Sequence, residues 1–241
     1  MPRKLNETQS TTLRAVLKFR YVTSDNLATF KNITQNSAYS RLEILTKEGY
    51  LGKLHDKSYR LLNKSARYYL TIQGLDYLKQ HLDMTLPNQL WIGRRADAKK
   101  SADFVDLQVA VHATTNELKA KYGDKARILN ATELYSVEDM IRPLPNLYVE
   151  LSKTKRFFVE IADDQHLFIV KKRIRKYIQH YEDGEWEWDK YPDVVIIRSA
   201  SATDRTRLRK YIEQQMEDNG LDEEDFSFNV VSSVGRLDKR A

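Results

Sequence analysis

The sequence predicts an α+β fold in two parts, and three observations carry that prediction. Up to about residue 82, apolar residues recur at spacings of three and four, interrupted by two short strand-like runs. From about residue 98 onward, helical and strand-like segments alternate, the pattern of a mixed sheet with helices able to cover both faces. Between them, residues 83–97 lose the helical period around Pro87, Gly93 and Arg94-Arg95, as a linker does. The expected organisation is a small domain over 1–82, a linker over 83–97 and an α/β domain over 98–241.

In the first part, Leu13, Val16 and Leu17 mark a helix over about 8–20, opened by Thr8. Thr23 has the position of an N-cap for a short second helix that buries Leu27 and Phe30. Thr34 caps a third helix, with Ile33 and Ala38 placed to close a hydrophobic staple; Leu42 and Leu45 continue its buried stripe until Gly49 ends it. The opposite face carries Asn36, Tyr39, Ser40 and Glu43, flanked by Gln35 and Arg41. Residues 51–55 and 66–70 are strand-like and bracket a loop with Lys57, Arg60 and Lys64. Thr71-Ile-Gln-Gly74 then opens a closing helix with Leu75, Leu78 and Leu82.

This order, three helices, a basic hairpin and a helix, with Thr-x-x-Gly after the second strand, resembles the winged helix-turn-helix modules of bacterial DNA-binding proteins. The resemblance implies double-stranded DNA as partner. Gln35, Asn36, Tyr39, Ser40 and Arg41 then meet base edges from the start of the third helix, because amide, hydroxyl and guanidinium groups pair with purine acceptors and donors. Lys57, Arg60 and Lys64 on the hairpin contact phosphate, which positions a protein without reading sequence. A winged helix that binds protein instead is the structural alternative; Tyr39 has two readings of its own, stacking or bonding at DNA, or covering the edge of the core.

Charge agrees in direction. Of the net +6, residues up to Arg95 hold 16 Lys/Arg against 7 Asp/Glu, while the remainder holds 24 against 27. A small domain at +9 suits a polyanion, although a basic surface also simply keeps a protein soluble.

The second part opens with a helix over about 101–122, apolar at Phe104, Leu107, Val111 and Leu118. Strands are expected over 126–134, 146–151 and 157–161, then a basic helix over 165–181, a strand over 194–197, a helix over 202–218 and a strand over 226–231. The order α-β-β-β-α-β-α-β is similar to the PD-(D/E)XK nuclease core. With the winged helix in front, and with Ile141-Arg-Pro-Leu-Pro-Asn146 followed by Arg156-Phe-Phe-Val-Glu-Ile-Ala-Asp163, the chain resembles the replication-relaxation family of plasmids and other mobile elements. That resemblance implies a role in replication, mobilisation or its control, with a homodimer or a replication partner protein as further partner.

The chemistry of such a nuclease needs a strand-borne Asp followed by Glu-x-Lys, two carboxylates holding Mg²⁺ or Mn²⁺ and a lysine beside the attacking water. Here Asn146 stands where the first Asp is expected and Ala162 follows two residues after Glu160. An active site would need Asn146, Glu160 and Asp163 or Asp164 as metal ligands, with Lys171 or Lys172 standing in for the lysine. The ordinary role of Asp163 and Asp164 is to cap the helix near Gln165. The expectation is therefore a nuclease-like domain without catalysis and without a cofactor, a metal-dependent nickase and a plain repressor remaining as alternatives. Lys171, Lys172, Arg173, Arg175 and Lys176 place five cations within six positions, either a second backbone contact, led by Lys171, Lys172 and Arg175, or a solvated face. Trp186 and Trp188 alternate like a strand edge or a partner-binding pair in an acidic segment.

Other chemistries are excluded. Zero cysteines remove disulfide scaffolds, thiolate zinc fingers and cysteine nucleophiles. The five histidines have no His-x-His or His-Glu-x-x-His spacing, and no Gly-x-x-x-x-Gly-Lys loop is present. Apolar runs such as 194–197 are far shorter than the roughly 20 residues of a membrane span, so no membrane partner is expected. The polar opening Met1-Pro-Arg-Lys-Leu-Asn-Glu7 lacks the apolar stretch of a signal peptide, and the expected location is cytoplasmic.

Overall fold

A computed structural model of the chain describes residues 5–81, 86–163, 165–199 and 201–237. The fold is α+β and divides into two compact units, Met1–Asn116 and Glu117–Ala241.

The first unit contains α1 (Glu7–Phe19), α2 (Ser24–Lys31), α3 (Gln35–Lys47), β1 (Leu51–Leu54), α4 (Lys57–Leu61), β2 (Arg67–Leu70), α5 (Ile72–His81), α6 (Asn88–Arg94) and most of α7 (Ala102–Tyr122). Helices α1 to α4 begin where side chains satisfy their free N–H groups. α1 starts before Thr8, because Asn6 Oδ1 accepts from Gln9 N at 2.8 Å while Gln9 Oε1 accepts from Asn6 N at 3.1 Å. Thr23 and Thr34 cap α2 and α3, each accepting an N–H at 3.2 Å, from Asn26 and Ser37. Ala38, Leu42 and Leu45 turn inward to meet Leu13, Val16, Phe19 and Leu27, and Gly49 at φ +83° ends the helix. β1 and β2 form an antiparallel hairpin, Leu51 opposite Leu70, and Val22 adds a one-residue bridge to Tyr68. Its connection is not an open loop: α4 forms within it, capped by Asp56.

Thr71 and Gly74 lock α5 against the end of α3. The Thr71 hydroxyl donates to Gly49 O at 2.6 Å and accepts from Gly74 N at 3.1 Å. A Cβ on Gly74 would collide with the Tyr50 carbonyl oxygen, so the first turn of α5 reaches this depth only without a side chain. Leu75 and Leu78 are buried below it, whereas Leu82 lies outside the described residues.

The segment expected as a linker is folded instead. It holds α6 and a 3-10 turn at Asp97–Lys99, and the division between units falls inside α7 rather than after residue 97. Buried polar pairing explains the difference. Asp97, 1% exposed, takes Arg20 Nη2 at 2.5 Å and Nε at 2.8 Å, its carbonyl accepts the Tyr21 hydroxyl at 2.6 Å, and Arg94 donates to Leu17 O at 3.0 Å. Further along, Asn26 donates to Val109 O and Asn116 donates to Asn26 O, at 3.1 and 3.0 Å.

The second unit contains β3 (Arg127–Asn130), α8 (Ala131–Leu134), β4 (Leu147–Ser152), β5 (Lys155–Ile161), α9 (Leu167–Asp183), β6 (Asp193–Ile197), α10 (Ala202–Asp218) and β7 (Phe228–Val231). Its sheet runs in chain order from β3 to β7, antiparallel through β5 and parallel from β5 to β7. The strand expected over 126–134 stops at Asn130, whose side chain forms a capping box with Glu133 and starts α8. The two parallel crossovers carry α9 and α10, which bury Val170, Ile174, Tyr177, Leu208 and Ile212 against Phe158, Val194 and Ile196. Trp186 and Trp188 are neither strand nor free surface: Trp188 packs on Phe158 at 5.6 Å between ring centroids, and Trp186 packs on Tyr191 at 5.4 Å and donates to Tyr181 O. Among the described residues no helix is long and apolar enough to cross a membrane.

Gly74→Ala is expected to lower the unfolding free energy by about 1–3 kcal/mol, the range for overpacking a tight contact. Urea denaturation of the full chain with a wild-type midpoint would show that the Tyr50 contact yields freely.

Candidate nucleic-acid interface

The outward face of α3 is polar because its inward face is taken by Ala38, Leu42 and Leu45. Asn36 and Ser40 are exposed one turn apart, Tyr39 is 48% exposed beside them, and Arg41 is half-buried on the flank. Gln35 is exposed but bonded, donating to Asp25 Oδ1. Glu43, half-buried, is bonded to the hairpin, accepting from Lys53 Nζ at 2.7 Å and from Tyr68 OH at 2.6 Å. Burial works against the Glu43 charge, but these two hydrogen bonds and the Lys53 charge outweigh it and hold the carboxyl below its ordinary range. The one acid on this face is thereby neutralised by Lys53, whose ammonium also lies 5.8 Å from the Tyr39 ring centroid.

Positive charge gathers beside that face where α2 ends, and further cations are exposed on the hairpin. Burial first, then the neighbouring Arg41 charge, depress the Lys31 ammonium, so two cations crowd together where α2 ends beside α3. Lys31 is a member of this surface that periodicity did not single out. The signal lay in its place in the last turn of α2, where a cation also meets the negative helix end. On the hairpin, Lys57 and Arg60 are exposed on α4. Lys64 is not available in the same way: its ammonium pairs with Asp106 Oδ2 at 2.5 Å, and Arg67 bonds the other oxygen at 3.0 Å. Of three hairpin cations expected at phosphate, the structure leaves two exposed and pairs the third with Asp106. The exposed face of α3 offers amide, hydroxyl and phenol groups and the hairpin offers cations, side chains able to meet base edges and phosphate.

Of the residues expected to hold a metal, Asn146, Glu160 and Asp163 are committed elsewhere. Glu160, 9% exposed, lies on β5 facing α9, and its Oε1 accepts from Arg173 Nε at 2.7 Å and from Tyr177 OH at 2.5 Å. Burial works against the Arg173 charge, yet Glu160 and Tyr177 outweigh it and raise the guanidinium above its ordinary value. Burial, then the Glu160 charge, push the Tyr177 phenol far upward, so it stays a hydrogen-bond donor. Asn146 Oδ1 accepts from Ile161 N at 2.7 Å, tying the start of β4 to the end of β5. Asp163 Oδ1 accepts from Ser199 N and does not cap α9, which begins at Leu167 after His166 with no side-chain cap; Asp164 lies outside the described residues.

A carboxylate already paired with a buried guanidinium does not fit the open, anionic donor set that Mg²⁺ or Mn²⁺ needs. Among the described residues no group of three or more His, Asp or Glu is gathered for a metal. Lys172 is exposed on α9, and it is Arg173, one position on, that reaches Glu160. Arg173 was legible in principle: it stands three residues after Val170 and four before Tyr177, on the inward face of α9. Of the other α9 cations, Arg175 is exposed, Lys176 donates to Gln179, and Lys171 is half-buried with its ammonium 4.4 Å from the Tyr211 ring centroid.

No protein-family model matches this chain, and neither a curated protein nor a solved structure matches it.

Glu160→Gln leaves Arg173 buried without its counter-charge and is expected to cost about 3–5 kcal/mol of stability. Chemical denaturation with and without added Mg²⁺ checks this. An unchanged or higher midpoint in the variant would mark Glu160 as a strained, functional carboxylate rather than half of an ion pair.

Proposed function

We propose that this chain is a sequence-selective double-stranded DNA-binding protein. In this reading α1, α2, α3 and the β1–β2 hairpin form a winged helix-turn-helix, α3 enters the major groove, and the hairpin lies along the backbone. The observation that carries it is the surface of α3. Asn36, Tyr39 and Ser40 are exposed on a helix whose single acid on that face is neutralised, with Lys31 and Arg41 on one side and Lys57 and Arg60 on the hairpin. On that face the carboxylate is paired with Lys53 and Tyr68 while the Asn36 amide and the Ser40 hydroxyl stay exposed.

The mixed sheet of the second unit is read as a PD-(D/E)XK-like scaffold without catalysis. The order of two antiparallel pairings followed by a parallel crossover supports the likeness, and the Glu160–Arg173 pair supports the loss of chemistry. The resemblance to the replication-relaxation family adds the biological setting: control of replication or mobilisation of a plasmid or other mobile element.

Binding by the full chain is measured by fluorescence anisotropy on a duplex selected from random sequence and on an unselected duplex. Asn36→Ala and Ser40→Ala are each expected to cost about 1–3 kcal/mol on the selected site and little on the unselected one. Lys57→Ala and Arg60→Ala weaken both and reduce the salt slope by about 1 each. Absence of salt-sensitive duplex binding by the full chain overturns the proposal. Nicking of supercoiled plasmid with Mn²⁺ that disappears in Glu160→Ala overturns its non-catalytic part.

A further inference from the structure

The second unit carries a cavity of about 370 Å³ between the first half of α10, the outer side of β7 and the 3-10 turn Val234–Arg236. β7 is the last strand of its sheet, so this side is not covered by a further strand. Three guanidinium side chains, Arg205, Arg209 and Arg236, line the cavity together with Thr206, Asn229 and Ser232, and among the described lining residues none is a carboxylate. We propose that this groove is a binding site for phosphate groups, distinct from the surface of α3.

Two arrangements support the assignment. Arg205 and Arg209 stand four residues apart on α10, a spacing at which like charges repel and destabilise a helix and at which an anion shared between them is favourable. Backbone oxygens hold both in place: Arg205 Nη1 donates to Arg198 O and Ser199 O at 3.2 Å, and Arg209 Nη2 donates to Val230 O at 2.7 Å. At Arg209 the carbonyl fixes the position of the guanidinium without cancelling its charge. Arg236 is exposed on the opposite wall and enters no ion pair among the described residues.

The guanidinium fork matches two oxygens of a phosphate at once, and the amide of Asn229 and the hydroxyls of Thr206 and Ser232 supply neutral polar groups at the same cavity. The volume sits at the small end of the range for organic ligand sites, about 300–1,000 Å³, and admits more than one phosphate group. Phosphates of that spacing come either from a nucleic-acid backbone or from a free polyphosphate, and the two sources separate by experiment.

The full chain is titrated with a labelled duplex of unselected sequence across a range of salt, and separately with sodium pyrophosphate in a calorimeter. Variants are Arg236→Ala, which breaks no ion pair among the described residues, Arg209→Ala with Arg236→Ala, and Arg209→Lys with Arg236→Lys. If backbone phosphate is the ligand, the salt slope falls by about 0.9 for each phosphate the variant ceases to neutralise, and pyrophosphate competes. If a free polyphosphate is the ligand, pyrophosphate affinity drops at least tenfold in the alanine variants while the duplex slope holds. The lysine variant keeps part of the affinity in either case, because charge remains without the fork. Wild-type behaviour of folded Arg236→Ala and of the double alanine variant in both titrations overturns the proposal. Lys210→Ala, at an exposed position of α10 that is not among the groove's lining residues, serves as the control and keeps the wild-type response in both titrations; the pyrophosphate titration involves no residue of α3, so failure of the groove and failure of the α3 reading are separately visible.

Discussion

A charged group withdrawn from water must meet an opposite charge or a full set of hydrogen bonds, and most of what is distinctive in this chain follows from that constraint. Asp97 is buried and takes Arg20; Glu160 is buried and takes Arg173; Arg67 is buried and shares Asp106 with Lys64. Each pair joins segments distant in sequence, by 77, 13 and 39 residues in turn. The first makes a folded element of residues that composition alone presents as a linker. The second closes a place where the strand order leads one to look for a metal. The third roots the hairpin in α7.

The same constraint decided which parts of the structure were legible in advance. Local rules were strong wherever one side chain acts on its own backbone neighbourhood. Thr23 and Thr34 as caps, Gly49 as a terminator and α10 over Ala202–Asp218 all follow from residues within a turn of each other. The strands of the mixed sheet were also readable, because runs such as Val194 to Ile197 are apolar on both faces, as a strand between two layers requires. Asn130 shows the limit of composition: Ile128 and Leu134 are both apolar and buried, and only the Asn130 and Glu133 side chains say that the strand has given way to a helix.

Partners across long sequence separations were not legible. Nothing near Asp97 announces Arg20, and nothing near Lys64 announces Asp106. Candidate site residues suffered accordingly. Asn36, Tyr39 and Ser40 stand exposed where helical phase put them, since phase is a local property. Lys64, Glu160 and Asp163 were singled out by residue type, and residue type does not reveal which partner has already taken the charge. The groove of Arg205, Arg209 and Arg236 was illegible for the same reason, its third wall lying 27 residues beyond the second along the chain.

The ion pairs of Lys64 and Arg67 with Asp106 carry a consequence for how the hairpin responds to its medium. Lys64 and Asp106 are 38% and 26% exposed, so mobile ions reach the pair and weaken it as their concentration rises. Ionic strength therefore acts on the protein itself as well as on any polyanion it meets: it slackens the hairpin's root while it repopulates the counterion cloud around the partner. The two effects add in a titration. On the proposed DNA-binding reading, the apparent count of released ions exceeds the number of phosphates touched, and the excess grows as α7's hold on the hairpin weakens.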